Sequence, residues 1–498
     1  MTVISLSLIS HTNVGKTTLA RTLLRRDVGE IRDASHVTLQ SSRHTLLETA
    51  TGDALELWDT PGFGDSVRLL RRLELSSNPL GWFLSHVWDR YADRPFFSSQ
   101  QALRIVRDHA DVVLYLVNVS EDPAASAYVE PEMRILDWIA KPVIVVMNQL
   151  GLPDPVREDR DLEQWRARLR EQPNVRDVLA FDAFARCWVH EHVLLDRVAA
   201  ALPPEKRQAF DRLSTEWRMR NEAIFEKSMR AIARQLATTA VDSEPVRPLG
   251  AAETARSWVG GLFGGRDAVD PATKQAMNRL TRRLEAEERT ATDELIELHG
   301  LSGHATAQML ERVRADFAVD RALDPARAGL IGGAISGALG GLAADLAAGG
   351  ITLGAGALVG GLLGAAGSHG LARAYNTSRG SDRSAARWST EFMNECLATA
   401  VLRYLVVAHY GRGRGDYVES VCPEEWKTAA ERAVAAGPVD WAVASSSDPN
   451  LLATRLSREL DAIVRTVLRE LYSSFEVKER TVMAEGSAPP IAVRAGRE

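Results

Sequence analysis

The stretch Ser10-His11-Thr12-Asn13-Val14-Gly15-Lys16-Thr17 decides the fold of this chain. It follows an apolar run, Val3 to Ile9, and precedes a helix-like run, which is the strand–loop–helix context of a phosphate-binding loop. In such a loop the backbone N–H groups and the helix N-terminus face the phosphates. Lys16 reaches the β/γ oxygens, and the Thr17 hydroxyl ligates Mg²⁺. The segment therefore predicts a nucleoside triphosphate site contacted by Asn13, Val14, Gly15, Lys16, Thr17 and Thr18.

A second phosphate-binding element supports this interpretation, although Ser10 stands where the usual pattern has glycine. Asp59-Thr60-Pro61-Gly62 follows another strand-like run, Ala54 to Trp58. We expect Asp59 to hold Mg²⁺ through water and the Gly62 N–H to contact the γ-phosphate. Between the two elements, Thr38 lies in a polar, turn-rich stretch. It is either a switch threonine that closes on Mg²⁺ and the γ-phosphate or an exposed loop hydroxyl.

Length and charge limit the remaining possibilities. A chain of 498 residues predicts two or three domains. The net charge of −6, without a long basic stripe, argues against a nucleic-acid partner. The three cysteines, Cys187, Cys396 and Cys422, are far apart, which is typical of unbridged thiols in a reducing compartment. The sequence enters its first strand without an export signal, so we expect the nucleotide domain to face the cytoplasm.

Short apolar runs, most of them rich in β-branched residues, alternate with helical or polar stretches over the first 190 residues. This alternation predicts an α/β domain with a mostly parallel sheet covered by helices on both faces, which we place at residues 1–190. The connection Asp65–Asp111 is unusually long and aromatic. The predicted strands are Val3–Ile9, Ala54–Trp58, Val112–Val119, Pro142–Met147 and Val178–Phe184.

The rest of the chain predicts an all-α domain. Heptad-like patterns of Arg, Glu and Leu favour long helices within residues 191–328, interrupted by a flexible insertion near 242–271. A C-terminal helical region follows at 372–484, and residues 485–498 are predicted to be a disordered tail. The helical patterns span Lys206–Leu236, Ala272–Phe317, Arg383–Tyr410 and Leu451–Phe475.

Between these helical regions lies a stretch dominated by glycine, alanine and aliphatic residues, Gly329–Leu371, whose only acidic residue is Asp345. Small residues at four-residue spacing allow close helix packing, so the stretch predicts a helical hairpin. Each arm has roughly 16 to 20 residues, near the lower limit for spanning a bilayer. Arginines flank both ends, as in a hairpin that enters from the cytoplasm. The alternative is a buried hairpin within the C-terminal domain.

The motif that would recognise the nucleotide base is incomplete in this chain. Guanine-specific members of this fold carry Asn-Lys-x-Asp after the fifth strand, whereas this chain reads Asn148-Gln149-Leu150-Gly151. Asn148 is in register, but Gln149 stands in place of the lysine, and the carboxylate that binds guanine is also missing. Asp182 either supplies a replacement carboxylate or caps a helix. These residues alone therefore do not determine which nucleotide base the chain binds.

Together these motifs resemble the Era/septin-like branch of the translation-factor-related GTPases. More narrowly, the chain is similar to a bacterial group in which such a GTPase domain precedes a C-terminal region of unknown function. That group has Asn-Gln in place of Asn-Lys and a glycine-rich apolar stretch. The residues that carry the resemblance are Asn13, Gly15-Lys16-Thr17, Thr38, Asp59–Gly62, Asn148-Gln149, Phe181-Asp182, Arg186-Cys187-Trp188 and Gly329–Leu371.

The resemblance implies GTP and GDP as the nucleotides, Mg²⁺ as the metal, and an inner-membrane protein as partner. For hydrolysis, Lys16, Mg²⁺ and the loop amides would stabilise charge on the β/γ oxygens while water attacks the γ-phosphate. Phe63 occupies the place of the usual water-positioning glutamine. Water positioning must then come from Thr38, from another chain in a nucleotide-dependent dimer or from a partner. We therefore expect slow intrinsic turnover that self-association or a partner raises.

Three functions fit this order of elements. The first is a regulatory GTPase at the cytoplasmic face of the inner membrane, or in the cytoplasm. The second is a dynamin-like membrane remodeller whose hairpin contacts the lipid bilayer. The third is a nucleotide-sensing scaffold that does not hydrolyse, which the absence of the glutamine favours.

Overall fold

The computed structural model describes twelve stretches of the chain. They are residues 1–25, 42–75, 78–85, 94–121, 126–150, 155–183, 187–246, 271–301, 375–377, 384–410, 423–441 and 448–472. Thr38, Cys422, the Gly329–Leu371 hairpin and the 485–498 tail predicted from sequence lie outside them, as do most of the 242–271 insertion and part of the aromatic connection before Asp111.

The N-terminal part is an α/β domain with a six-stranded sheet in the order β2-β3-β1-β4-β5-β6. The sheet is parallel except for β2, which runs antiparallel to β3. The predicted mostly parallel sheet is therefore confirmed. The strands are β1 (Val3–Ser10), β2 (Ser42–Glu48), β3 (Ala54–Asp59), β4 (Val112–Asn118), β5 (Val143–Asn148) and β6 (Val175–Ala180).

Helices cover both faces of this sheet, as the apolar strands require. Alternation along β1 sends Ile4, Leu6 and Leu8 into one apolar cluster and Ile9 into the other. The helices are α1 (Lys16–Leu24), α2 (Ser66–Leu73), α3 (Pro79–Ser85), α4 (Arg94–His109), α5 (Val129–Asp137), α6 (Pro155–Leu169) and α7 (Trp188–Ala201).

The C-terminal part is mainly helical, as predicted, and begins with a helix of 38 residues, α8 (Pro204–Val241). The N-terminal half of α8 buries Phe210 and Trp217 in the core of the α/β domain. Its C-terminal half buries Phe225 and Leu236 in the helical core. The other helices here are α9 (Pro271–Leu298), α10 (Thr390–Ala408), α11 (Glu424–Ala436) and α12 (Pro449–Leu471).

Three helical or strand bounds differ from the sequence predictions. The last strand of the large sheet is Val175–Ala180 rather than Val178–Phe184, because the residues after Ala180 bond in a loop instead. The helix predicted over Ala272–Phe317 ends at Leu298, where Gly300 adopts a left-handed φ of 68° and closes the helix.

The helical pattern predicted from Arg383 begins later than expected, because residues Ser384–Trp388 form a strand. This strand, β9, is the centre of a three-stranded antiparallel sheet with β7 (Ser243–Val246) and β8 (Tyr375–Thr377). This sheet was not predicted from the sequence, because its strands are short and β7 is more than a hundred residues away from β8 and β9 in the chain. Among the described helices, none carries an apolar segment long enough to cross a membrane.

A buried polar network joins the two parts where α8 passes from one core to the other. Glu191 on α7 accepts hydrogen bonds from Trp217 Nε1 and, at 2.9 Å, from Asn221 Nδ2. The Arg25 guanidinium at the end of α1 donates to Asn221 Oδ1 and contacts Glu191 Oε1 at 3.4 Å. Burial lowers the pKa of Arg25 to about 10, so the guanidinium is still charged at neutral pH and a buried charge of this kind needs polar partners.

We expect Glu191→Ala to lower the free energy of unfolding by about 3 kcal/mol, because it removes the buried counter-ion of Arg25 and the acceptor of the Trp217 and Asn221 N–H groups. Denaturant unfolding followed by circular dichroism measures this change. The control is Glu226→Ala on the exposed side of α8, where the surface pair with Arg230 contributes less than about 1 kcal/mol. Equal losses for the two variants would contradict a structural role for the network.

Candidate nucleotide site

The predicted phosphate-binding loop connects β1 to α1 in the expected strand–loop–helix arrangement, with β1 ending at Ser10 and α1 starting at Lys16. Gly15 has a left-handed φ of 97°, and a Cβ atom there would lie 2.6 Å from Asn148 Nδ2. Both the conformation and the close approach therefore require glycine. Asn13 is also left-handed, at φ 65°, as asparagine tolerates. Val14 and Thr18 are buried beneath the loop.

Lys16 is buried at the centre of the site. Its Nζ donates to Ser10 Oγ at 2.9 Å and to the His11 carbonyl at 3.4 Å. Ser10, in the place of the usual glycine, therefore helps to hold the lysine. Burial lowers the pKa of Lys16 to about 8, and the nearby carboxylates of Asp59 and Glu132 oppose this shift. A phosphate group would supply the anion that this desolvated ammonium lacks.

Thr17 and Asp59 meet as the sequence predicted for a metal site. The Thr17 hydroxyl donates to Asp59 Oδ2 at 2.8 Å. The other carboxylate oxygen, Oδ1, is buried and has no hydrogen-bond partner in the described part of the chain. Burial raises the pKa of Asp59, so a cation beside it would favour its ionised form. These oxygen donors fit Mg²⁺, which would neutralise charge on the phosphates when bound.

The Asp59–Gly62 element packs directly on the phosphate-binding loop. The Phe63 N–H donates to the Ser10 carbonyl at 2.8 Å. A Cβ atom at Gly62 would lie 3.0 Å from Lys16 Nζ and 3.1 Å from Thr12 Cα, so a larger residue would crowd the lysine. The loop thus brings Lys16, Thr17, Asp59 and Gly62 together, although they come from two separate segments.

Phe63 points away from this site. Its side chain is fully buried in the apolar cluster beneath α2, α4 and α5, together with Ile9, Leu69 and Val106. The side chain at the usual glutamine position therefore belongs to the core, and it cannot orient water at the phosphate.

Asn148 joins three loops at the base-reading end of the site. Its Nδ2 donates to the Val14 carbonyl at 2.8 Å, and its Oδ1 accepts from the Ala183 N–H at 2.8 Å. Gln149 has a left-handed φ of 62°, and its Nε2 lies 4.0 Å from the position of a Gly15 Cβ. Asn148 and Gln149 therefore both lie against the phosphate-binding loop.

Asp182 lies beside these residues and does not cap a helix. Its Oδ2 accepts from the Leu150 N–H at 2.8 Å, and the N-cap of α7 is Cys187. The helix-cap interpretation is therefore wrong. The structure brings a buried carboxylate next to the Asn148–Leu150 loop, where the usual motif carries its aspartate on the loop itself. Gly151 and Thr38 lie outside the described residues.

One further group in this region escaped the sequence analysis. Glu132 on α5 is fully buried and binds both His11 of the loop and Tyr115 of β4. No local motif marks Glu132, because it is 121 residues away from His11 in the chain. A buried carboxylate therefore lies close enough to Lys16 to oppose the lowering of its pKa.

Two family models match the chain. Residues 5–149 match the model described as 50S ribosome-binding GTPase, so the loop and the sheet define an N-terminal P-loop GTPase domain. Residues 168–466, more than half of the chain, match the model described as domain of unknown function DUF3482. The chain belongs to the DUF3482 family.

Solved structures with a similar domain share little sequence with the chain. Era in complex with MgGDPNP and part of 16S ribosomal RNA is 17% identical, with 60% of this chain and 90% of that chain covered and a TM-score of 0.31. A variant of Aquifex aeolicus Era bound to GDP·AlF4⁻ is 15% identical, with 61% and 100% covered and a TM-score of 0.30. SelB from Methanococcus maripaludis is 18% identical, with 36% and 30% covered and a TM-score of 0.23. The comparison with curated proteins finds no match.

We expect Asn148→Ala to lower the free energy of unfolding by about 2 kcal/mol, because a buried carbonyl and a buried N–H lose their partner. Thermal and denaturant unfolding measure the loss. The matched control is Asn118→Ala at the end of the neighbouring strand, whose carboxamide, within the described stretches, bonds only to the exposed Ser120. A loss for Asn148→Ala no larger than for this control would show that the bridge is not structural.

We expect Phe63→Gln to leave GTP turnover no faster and to lower the free energy of unfolding by about 3 kcal/mol, because it places an amide in an apolar core. Phosphate release and denaturant unfolding are the measurements. Phe63→Leu is the control and should cost less, about 1 kcal/mol, because the core stays apolar. A tenfold rise in turnover for Phe63→Gln would contradict the inward orientation of this side chain.

Proposed function

We propose that this protein is a regulatory GTPase that binds GTP and GDP with Mg²⁺ and hydrolyses GTP slowly. The observation that carries the proposal is the convergence of Lys16, Thr17, Asp59 and Gly62 around one loop. These groups have the chemistry to bind the β- and γ-phosphates and a magnesium ion. Thr38 is proposed to complete the metal site.

Guanine is the proposed base. Asn148 supports the base-reading loop, and Asp182 supplies a carboxylate next to it. In the usual arrangement a carboxylate accepts two hydrogen bonds from the guanine edge. We propose that Asp182 contributes to this recognition in place of the missing aspartate, with Gln149 packed over the loop.

Slow hydrolysis is proposed because the usual glutamine is absent and Phe63 is buried in the core. Dimerisation of two GTPase domains, or a partner, would then raise the rate. The same observation favours a second candidate, a nucleotide-sensing scaffold that does not hydrolyse GTP.

The helical part is proposed to receive the nucleotide signal through the Arg25 network. Arg25 ends α1, which begins at Lys16, and the residues that follow it lead to Thr38. Its guanidinium bonds to Asn221 of α8 and contacts Glu191 of α7. Phosphate binding at Lys16 would act through α1 on this charge and so on α8. We further propose contact with the inner membrane or a protein in it through residues 329–371.

We expect the purified full-length protein to bind GTP and GDP more tightly than ATP in the presence of Mg²⁺, and Lys16→Ala to weaken this binding at least about 10-fold through loss of a phosphate contact. Isothermal titration calorimetry measures the three affinities. Lys141→Ala, before β5, is the control and should bind as the wild type does.

The outcomes separate the proposals. Equal or preferential ATP binding would contradict guanine recognition and leave a P-loop ATPase. Bound GTP that is never hydrolysed, under any condition of protein concentration, would favour the scaffold. Turnover of roughly 10 per second by the isolated monomer, typical of stimulated enzymes, would contradict slow intrinsic hydrolysis.

A further inference from the structure

The Asp59–Gly62 element is held from one side by β1. The Thr60 hydroxyl donates to the Leu8 carbonyl at 2.6 Å, and the Phe63 N–H donates to the Ser10 carbonyl at 2.8 Å. Thr60 and Phe63 are both fully buried. This element is therefore fixed against the strand that leads into the phosphate-binding loop.

Helix α4 holds the element from the other side, at the residue after Phe63. The Gly64 N–H donates to Ser99 Oγ at 3.1 Å in a buried hydrogen bond. The Ser99 hydroxyl donates its own proton to the Pro95 carbonyl at 2.8 Å, one turn earlier in α4. Because a hydroxyl carries a single proton, this bond leaves the Ser99 oxygen as the acceptor for Gly64. Ser99 is 0% exposed, so water does not compete for this bond.

The backbone at Gly64 also lies directly against the first turn of α4. A Cβ atom at Gly64 would lie 2.5 Å from Pro95 Cβ and 2.6 Å from Pro95 Cα. Carbon atoms that are not bonded to each other are normally at least about 3.5 Å apart. Only glycine allows this close approach. Gly64 is thus fixed by a hydrogen bond and by packing, both of them to α4.

This contact bears on the position of Gly62, two residues earlier. Phe63, between the two glycines, is buried in the same apolar cluster as Leu103 and Val106 of α4. A Cβ atom at Gly62 would lie 3.0 Å from Lys16 Nζ, the group expected to contact the β- and γ-phosphates. The Gly62 N–H is expected to contact the γ-phosphate, which GTP has and GDP lacks. Helix α4 therefore supports the group that would distinguish the two nucleotides.

We propose that Ser99 is a positioning residue for recognition of the γ-phosphate, and that it acts by anchoring Gly64. Without this anchor, the Gly62 N–H would lose the fixed position in which it can donate to the phosphate, and GTP would lose affinity relative to GDP. This inference rests on the proposed GTPase function. It also assigns a role to the long connection between Asp65 and Asp111, because that connection contains α4.

The first test is Ser99→Ala in the full-length protein with Mg²⁺. Isothermal titration calorimetry measures its affinity for GDP and for GDPNP, a GTP analogue that is not hydrolysed. We expect GDPNP to bind about 10-fold more weakly than to the wild type, and GDP to bind within about twofold of the wild type, because only GDPNP carries a γ-phosphate. A general loss of stability would weaken both ligands together, so the ratio of the two affinities isolates the positioning role.

Ser98→Ala is the matched control. Ser98 is the neighbouring residue of α4 and is 1% exposed, but its hydroxyl has no hydrogen-bond partner in the portion of the chain that the structure describes. This variant should bind GDPNP and GDP as the wild type does. A loss of GDPNP affinity as large as that of Ser99→Ala would overturn the proposal.

The second variant is Gly64→Ala, which keeps Ser99 but forces the backbone at this position away from Pro95. We expect GDPNP to bind at least about 10-fold more weakly, again with GDP within about twofold of the wild type. This variant also decides the question if Ser99→Ala does not fold. Wild-type affinity for GDPNP in either variant would overturn the proposal, and so would equal losses for GDPNP and GDP.

These results are distinct from a failure of the proposed function. If the wild-type protein binds neither GDP nor GDPNP, the GTPase proposal is wrong and this inference fails with it. If the wild-type protein binds both, and the Ser99 and Gly64 variants show the same ratio of affinities, only the role of Ser99 is wrong.

Discussion

The architecture depends on one helix, α8, whose apolar stripe is buried partly in the core of the α/β domain and partly in the helical core. Along α8, Phe210, Leu213 and Trp217 face the α/β domain, and Phe225 and Leu236 face the helical core. A helix of 38 residues is about 57 Å long, more than one small core can cover. Asn221 interrupts the apolar stripe where the cores meet. Arg25 and Glu191 both form hydrogen bonds with Asn221 there. The junction between the two cores is therefore polar, and directional bonds fix its geometry.

Within the α/β domain, a second constraint organises the site. The carboxyl ends of parallel strands meet at one edge of the sheet, and three of them supply the groups around the phosphate-binding loop. β1 leads into the loop, β3 ends at Asp59, and β5 ends at Asn148. The site contains the buried ammonium of Lys16, whose hydrogen bonds among the described residues go to the uncharged oxygens of Ser10 and His11. Burying this charge is costly without an anion in direct contact. A ligand with several negative charges would offset this desolvation cost. The buried lysine therefore links the fold to the binding of a phosphorylated ligand.

Local patterns predicted much of this structure. The phosphate-binding loop, four of the five predicted strands and the long helices were found from the sequence, because each depends on residues within one short segment. Strand β2 was missed, since it is an edge strand of mixed polarity. The small sheet of β7, β8 and β9 was also missed, and the start of its central strand, Ser384–Trp388, was mistaken for helix. The β7–β9 pairing spans more than a hundred residues, and β8 has only three residues, so neither leaves a local period to detect.

The sequence alone indicated a phosphate-binding loop, an aspartate suited to a metal site and a mostly parallel sheet, because strict local geometry links those residue types to their conformation. Only the tertiary structure decided how Glu132 reaches His11, how Asp182 comes to lie beside Leu150, and how Arg25 joins α1 to α8. It also decided that Phe63 turns into the core. These contacts join distant segments, and they form because buried polar groups must find partners that only the folded chain brings within reach.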